Sequence, residues 1–173
     1  MKVLVEIEAA IPALRRYARA LMRDRDRADD LVQDCLERAV ASRHLWRGDG
    51  PVQAWLFRIL INRYRDLQRR SPLPGHLVAI EDLVSEPAQC GGQEGALALR
   101  EVHEAIARLP VDQREALLIV ALEGRSFEEA ASLLDIPKGT LMSRLARARA
   151  TLRVLTGRGT GAEVVPGPSR GRR

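Results

Sequence analysis

The stretch from Ser126 to Leu155, SFEEAASLLDIPKGTLMSRLARARATLRVL, constrains the fold more than any other part of the chain. Ser126 is a strong helix N-cap, and Glu129 three residues on completes a capping box. Ala130, Ala131, Leu133 and Leu134 give the short helix that follows one apolar side. Asp135-Ile136-Pro137-Lys138-Gly139 breaks it, since proline fixes φ and lacks an N–H while glycine accepts left-handed geometry. The pattern predicts a second helix, capped by Thr140. Its buried stripe is Leu141, Leu145, Ala148, Leu152 and Leu155. At about 100° per residue, Ser143, Ala146, Arg147 and Ala150 lie opposite, with Arg144 and Arg149 on the flanks. Small residues permit close approach and arginines reach phosphates or guanine edges, so this outward face suits a DNA major groove. A merely solvated helix can carry arginines too. The short capped helix and tight turn in front of this one favour a helix-turn-helix.

The chain has 173 residues, enough for one medium domain or two small ones. Hydrophobic residues make up 46% but aromatics only 3%, so the cores must be aliphatic and alanine-rich, which suits packed helices. A net charge of +5 is compatible with a polyanionic partner. Cys35 lies on an apolar helix stripe and reads as a small core residue. Cys90 lies in a Gly-rich loop, and the two cysteines form neither a zinc motif nor a disulfide framework. The N-terminal MKVLVEIEAA carries Glu6 and Glu8 where a signal peptide would be apolar. No run approaches transmembrane length. A cytoplasmic protein without membrane insertion is expected. No nucleophile is paired with a base, and Gly48-Asp49-Gly50 does not match a phosphate-binding loop. The expectation is therefore a protein with no catalytic residue, metal or cofactor, and not an enzyme.

Taken in order, Ile7, Ile11, Leu14, Ala18 and Leu21 predict a helix over residues 3–22, kinked or restarted at Pro12. Asp26 is the expected cap of the next helix, residues 27–41, with Ala28, Leu31, Val32, Cys35, Leu36, Ala39 and Val40 inward. Its other face concentrates acid at Asp29, Asp30, Asp34 and Glu37. A helix dipole accounts for acid in the first turn but less well for Asp34 and Glu37, and such a face can dock a basic protein surface. Trp46 to Pro51 is a loop. The helix after it, residues 52–68, has Trp55, Leu56, Ile59, Leu60 and Leu67 as its core face. Gln53, Arg58, Arg65 and Arg69 lie away from that face. Asn62 and Arg63 fall on or beside it, where polar groups need partners. A glycine loop feeding a helix with arginine and asparagine is also a way to grip a single strand, with Trp46 and Tyr64 available to stack on bases. Residues 71–95 are proline- and glycine-broken and acidic, which marks a domain boundary. A helix over 94–109, with Leu99, Val102, Ile106 and Leu109 inward, precedes one capped by Asp112 and built on Leu117, Leu118, Ala121 and Leu122. Gly124 stops it. Beyond Thr156 the tail is Gly/Pro-rich, basic and expected to be disordered.

With these pieces in order, the chain resembles a bacterial sigma-70-family factor of the extracytoplasmic-function (group IV) type. The segment Arg27 to Ala39 is similar to the family's region 2.2, Trp46 to Arg70 to regions 2.3 and 2.4, and Leu109–Glu115 with Leu122–Ala131 and Ile136–Arg149 to region 4. The resemblance implies an all-α fold of two small helical domains joined by a flexible linker. Region 2 would span 1–70, an acidic linker 71–95, region 4 with the helix-turn-helix 96–156, and a basic tail 157–173. It implies a subunit that binds core RNA polymerase and directs it to promoter DNA, held inactive by an anti-sigma factor. Asp30, Gln33, Asp34 and Glu37 would dock on polymerase. Arg47, Gly48, Asp49, Gly50, Arg58, Asn62 and Arg63 would hold the melted −10 element. Lys138, Thr140, Met142, Ser143, Arg144, Ala146 and Arg147 would read the −35 duplex. Met142 departs from the family, which usually has Lys or Arg there. Methionine makes only apolar contact, so readout leans on Lys138, Ser143, Arg144 and Arg147.

Two other readings compete. A stand-alone helix-turn-helix regulator leaves the acidic helix and the Trp46–Arg70 segment without roles. A helical adaptor that binds only proteins, such as a sigma mimic, leaves the arginine face of the last helix unexplained.

Overall fold

The structure is a computed structural model that describes residues 2–22, 24–46, 48, 50–70 and 101–157. The expected linker with Cys90, the beginning of the helix at Glu94 with Leu99, the tail beyond Gly157, and Arg47 and Asp49 lie outside the described residues.

All regular structure among the described residues is helical. Helices α1 (Lys2–Met22), α2 (Arg25–Ala41) and α3 (Val52–Arg70) pack against one another as a three-helix half, with a 3-10 turn at Arg43–Leu45 before the loop into α3. In the second half α4 is described over residues 101–107. It is followed by α5 (Val111–Ala121), α6 (Phe127–Leu134) and α7 (Lys138–Leu155). The last three pack mutually.

Leu14, Ala18, Leu21, Leu31, Cys35, Leu56, Leu60, Leu141, Leu145 and Ala148 are buried as their spacing predicts. Pro12 does not restart the helix, since α1 runs through it as one element. The proline is exposed, so water can satisfy the carbonyl that loses its donor, while apolar residues on either side hold the helix down. Tyr17 and Phe57 meet edge-on across the α1–α3 contact, ring centroids 5.3 Å apart.

The caps are corrected at three helices. Asp24, not Asp26, caps α2, accepting the Arg27 N–H at 3.0 Å, because the helix begins two residues earlier than its apolar pattern. At α5 and α7 the cap position is a proline, Pro110 and Pro137, with no side-chain cap bond; Asp112 and Thr140 already lie inside the helices. A proline fixes extended entry geometry without needing a capping side chain. Ser126 and Glu129 form the predicted capping box. Tyr64 is fully buried and unavailable for base stacking, and Asn62 is exposed rather than on the apolar side. Val40, Ala121, Leu122 and Leu155 are exposed rather than inward.

The two halves also close on each other. Helix α1 packs on α5 and α3 on α6, and one continuous apolar core includes residues of both.

Candidate nucleic-acid and protein interfaces

Beside the shared apolar core, the seam between the halves carries charged pairs. Glu115 of α5 is 1% exposed and receives Arg65 of α3, with Arg65 Nη2 2.7 Å and Nε 3.0 Å from Glu115 Oε2. Burial pushes the Glu115 carboxyl above its ordinary range, and the bonds and charge of Arg65 pull only part of the way back. Burial also disfavours charge on Arg65, but bonding to Glu115 outweighs it and holds the guanidinium protonated. The Tyr17 hydroxyl donates to the Glu115 backbone carbonyl at 3.2 Å. Arg114 donates to the carbonyls of Leu21, at 3.2 Å, and Ala107, at 2.6 Å, and to the Tyr64 hydroxyl at 3.4 Å. On one flank, Arg16 spans both carboxylate oxygens of Glu123 at 3.0 Å.

Two arginines of α3 cap the C-terminal end of α6. Arg58 donates to the Ser132 carbonyl at 3.0 Å, and Arg65 to the Leu134 carbonyl at 3.3 Å. Cations complement the negative end of a helix dipole there, and Asp135 beyond it turns left-handed at φ 55°. Arg58, expected at the −10 element, is thus engaged by the other half in this closed arrangement.

Of the other described residues expected at the −10 element, Gly48, Gly50 and Asn62 are exposed. Gly48 and Gly50 have φ of 79° and 101°, conformations that L side chains rarely adopt, and so make the sharp loop that feeds α3. Trp46, Gly50 and Trp55 line a groove that continues onto Arg125 and Ser132 of the second half. Asn62 and Arg63 line another groove, with Arg38 and His44 opposite. Arg63 is not free: its Nε and Nη2 each lie 2.8 Å from Asp34 Oδ2 on α2.

Asp30, Gln33 and Asp34 border a groove floored by Met22, Leu31 and Leu67. Gln33 donates to Glu37 at 3.0 Å, which ties those two together along one helix face. Asp30 and Asp34, with Arg27 at one side, rim an apolar floor, which fits a partner helix with basic and aliphatic residues.

On α7 the residues expected at −35 divide. Met142, Ser143, Ala146 and Arg147 share an exposed face, and Met142 is 41% exposed. Arg147 donates to the Ser143 hydroxyl at 2.9 Å, which aligns its guanidinium along the helix. Lys138 pairs with Glu128 of α6 at the mouth of this face. Arg144 turns the other way, 3.3 Å from Asp112, and lines the cleft between the halves with Asn62 and Arg65. Thr140 is half-buried.

No group of three or more potential metal-ligating side chains occurs among the described residues. No described helix is long and apolar enough to cross a membrane.

Residues 7–61 match the family described as "Sigma2 domain of PhyR" and residues 99–152 match "Sigma-70, region 4". The chain is 40% identical over 153 residues to the ECF RNA polymerase sigma factor EcfG of Rhodopseudomonas palustris, covering 87% of this chain and 82% of that protein. It is 38% identical over 145 residues to the ECF sigma factor SigM of Mycobacterium tuberculosis, covering 83% and 71%. Among solved structures, the sigma factor RpoE of Bartonella quintana, crystallised with the anti-sigma factor NepR, superposes with a TM-score of 0.67 at 35% identity, covering 88% of this chain and 94% of that one.

Proposed function

The chain belongs to the extracytoplasmic-function family of RNA polymerase sigma factors, and we propose how its residues divide the work of directing polymerase to a promoter. Residues 1–70 act as the polymerase- and −10-binding domain, 96–156 as the −35-binding domain, 71–95 as an acidic linker and 157–173 as a basic tail. Asp30, Gln33, Asp34 and Glu37 dock on core polymerase. The loop from Arg47 to Gly50, with Arg58, Asn62 and Arg63, holds unpaired bases of the −10 element. The α7 face reads −35 duplex through Ser143 and Arg147 and sets Met142 against a thymine methyl. The protein contributes no covalent step of its own. Its work is done in the cytoplasm, by positioning and by capturing bases that have left the stack.

The observation that carries this reading is the α7 face. Small, sulfur and arginine side chains stand outward on a helix whose aliphatic side is buried, so the face is free to enter a groove. That face has no use in a helical mimic that only binds proteins. Full function requires the closed halves to part. About 25 base pairs at 3.4 Å separate the −10 and −35 elements by roughly 85 Å. A compact body of ~130 residues is only about 36 Å across. An anti-sigma protein that favours the closed state would therefore inhibit, and the Bartonella relative crystallised with NepR supports such a partner here.

The test is binding and opening of a promoter by the purified chain with and without core polymerase. Sequence-specific opening only with core supports the proposal. Tight specific duplex binding by the free chain would favour a stand-alone regulator.

A further inference from the structure

Asp34 and Arg63 form the wall between two grooves. Asp34 borders the acidic groove over Met22, Leu31 and Leu67, and Arg63 borders the groove with Asn62, Arg38 and His44. Both guanidinium contacts go to one carboxylate oxygen, at 2.8 Å each, and the Arg63 side chain is 18% exposed against 39% for Asp34. The aspartate is thus reachable from its groove, while the arginine is held back against α2. Resting on the division of roles proposed above, we propose that this ion pair couples polymerase docking to single-strand capture: a cation of the polymerase that engages Asp34 releases Arg63 to a nucleic-acid phosphate.

The physical argument is competition for one carboxylate. An incoming lysine or arginine shares the Asp34 charge, and the hold on Arg63 weakens. Arg63 sits one residue from exposed Asn62, so its freed guanidinium enters the groove where a strand would lie. Coupling is reciprocal: a strand that draws Arg63 away leaves Asp34 with unshared charge and strengthens polymerase binding by the same factor. In the free chain the pair keeps Arg63 from DNA, so Asp34 is a positioning residue as well as a docking one.

The test is a cycle of four full-length proteins: unchanged, Asp34→Asn, Arg63→Gln and the double variant. The readout is anisotropy of a fluorescein-labelled, random-sequence single-stranded DNA 12-mer, titrated at several NaCl concentrations without polymerase. Asp34→Asn is expected to raise affinity about three- to fivefold, the scale of one partly exposed ion pair. The salt slope should steepen by about 0.7, the signature of one added phosphate contact on a single strand. In the Arg63→Gln background the same change should raise affinity far less. Glu37→Gln removes one charge from the same helix without touching Arg63 and sets the scale of long-range effects. An equal gain from Glu37→Gln, or a gain undiminished by Arg63→Gln, overturns the coupling. Should Arg63→Gln weaken binding equally with and without Asp34, Arg63 contacts DNA ungated, so the coupling falls and the −10 assignment stands. Should Arg63→Gln weaken neither protein, and fork-junction binding by the assembled holoenzyme be unchanged too, the −10 assignment of Arg63 falls as well.

Discussion

Replacing Arg65 with methionine tests what holds the halves together. Methionine keeps the aliphatic bulk of the side chain but leaves Glu115, 1% exposed, without its ion-pair partner. Breaking a buried pair by removing one member costs about 3–5 kcal/mol. Two routes lower that cost: the carboxyl can take up a proton, or the halves can separate and return it to water. At 1.36 kcal/mol per pH unit, protonating a carboxyl from its ordinary value of 4.5 costs about 4 kcal/mol at pH 7.5 and about 1.4 kcal/mol at pH 5.5. The penalty on the closed state therefore falls by about 2.7 kcal/mol across that window.

The sign follows from the direction of the shift. Glu115 has a raised pKa in the closed chain, so the closed state binds its proton more tightly than the open state. Stability of closure is gained as pH falls and lost as pH rises from about 4.5 through the raised value. Arg65 holds that dependence down in the unchanged protein. Small-angle scattering should show Arg65→Met expanded at pH 7.5 and compact at pH 5.5, and the unchanged chain compact at both. Adding Glu115→Gln to Arg65→Met should abolish the pH response. A variant as compact as the parent at pH 7.5, or a double variant that keeps the response, would refute the assignment of closure to this pair.

Three further outcomes are expected. Ser126→Ala removes the capping box at α6 and should lower unfolding free energy by about 1 kcal/mol in a denaturant titration, with an unchanged m-value. Cys35 is fully buried, with its thiol near the Leu56 carbonyl and its pKa pushed up to about 12 by burial. Peptide mapping after iodoacetamide treatment at pH 7.5 should find Cys35 unmodified in the native chain and alkylated in denaturant. Arg147→Ala should weaken open-complex formation on a −35-dependent promoter by roughly 5- to 150-fold, the range for one lost base contact of about 1–3 kcal/mol, with core affinity unchanged in a pull-down titration.

Much of each half was legible in the sequence because its apolar spacing is strong and local. Leu141, Leu145 and Ala148 lie on one side of α7 by arithmetic alone, and burial confirms it. The caps were less legible, since Asp26, Asp112 and Thr140 are all good capping residues standing within three residues of a true helix start. Closure was not anticipated, although one signal for it was present. Glu115 falls on the stripe Val111, Glu115, Leu118, Ile119, where a carboxylate must find a cation or stay neutral. The partner, Arg65, stands 50 residues away on a helix whose own stripe, Phe57, Ile61, Arg65, continues toward the same seam. Periodicity says that a residue faces inward, but not whether the surface it meets belongs to its own half or the other.

The arginines make the same point about function. Arg58, Arg63, Arg144 and Arg147 were all candidates for DNA, because a guanidinium suits phosphate, guanine, carboxylate and helix-end carbonyl alike. Geometry separates them: Arg58 caps α6, Arg63 pairs with Asp34, Arg144 pairs with Asp112, and Arg147 stays on the outward face beside Ser143. Only the last is available to DNA without any rearrangement. For Arg58, whose partner lies across the seam, opening the halves frees the side chain, whereas Arg144 and Asp112 both belong to the second half and stay together. Nor does opening free Arg63, because Asp34 belongs to the same half and remains beside it after the halves part. Release of Arg63 therefore needs a second event at α2, and the docking of polymerase on the acidic groove is one that supplies it.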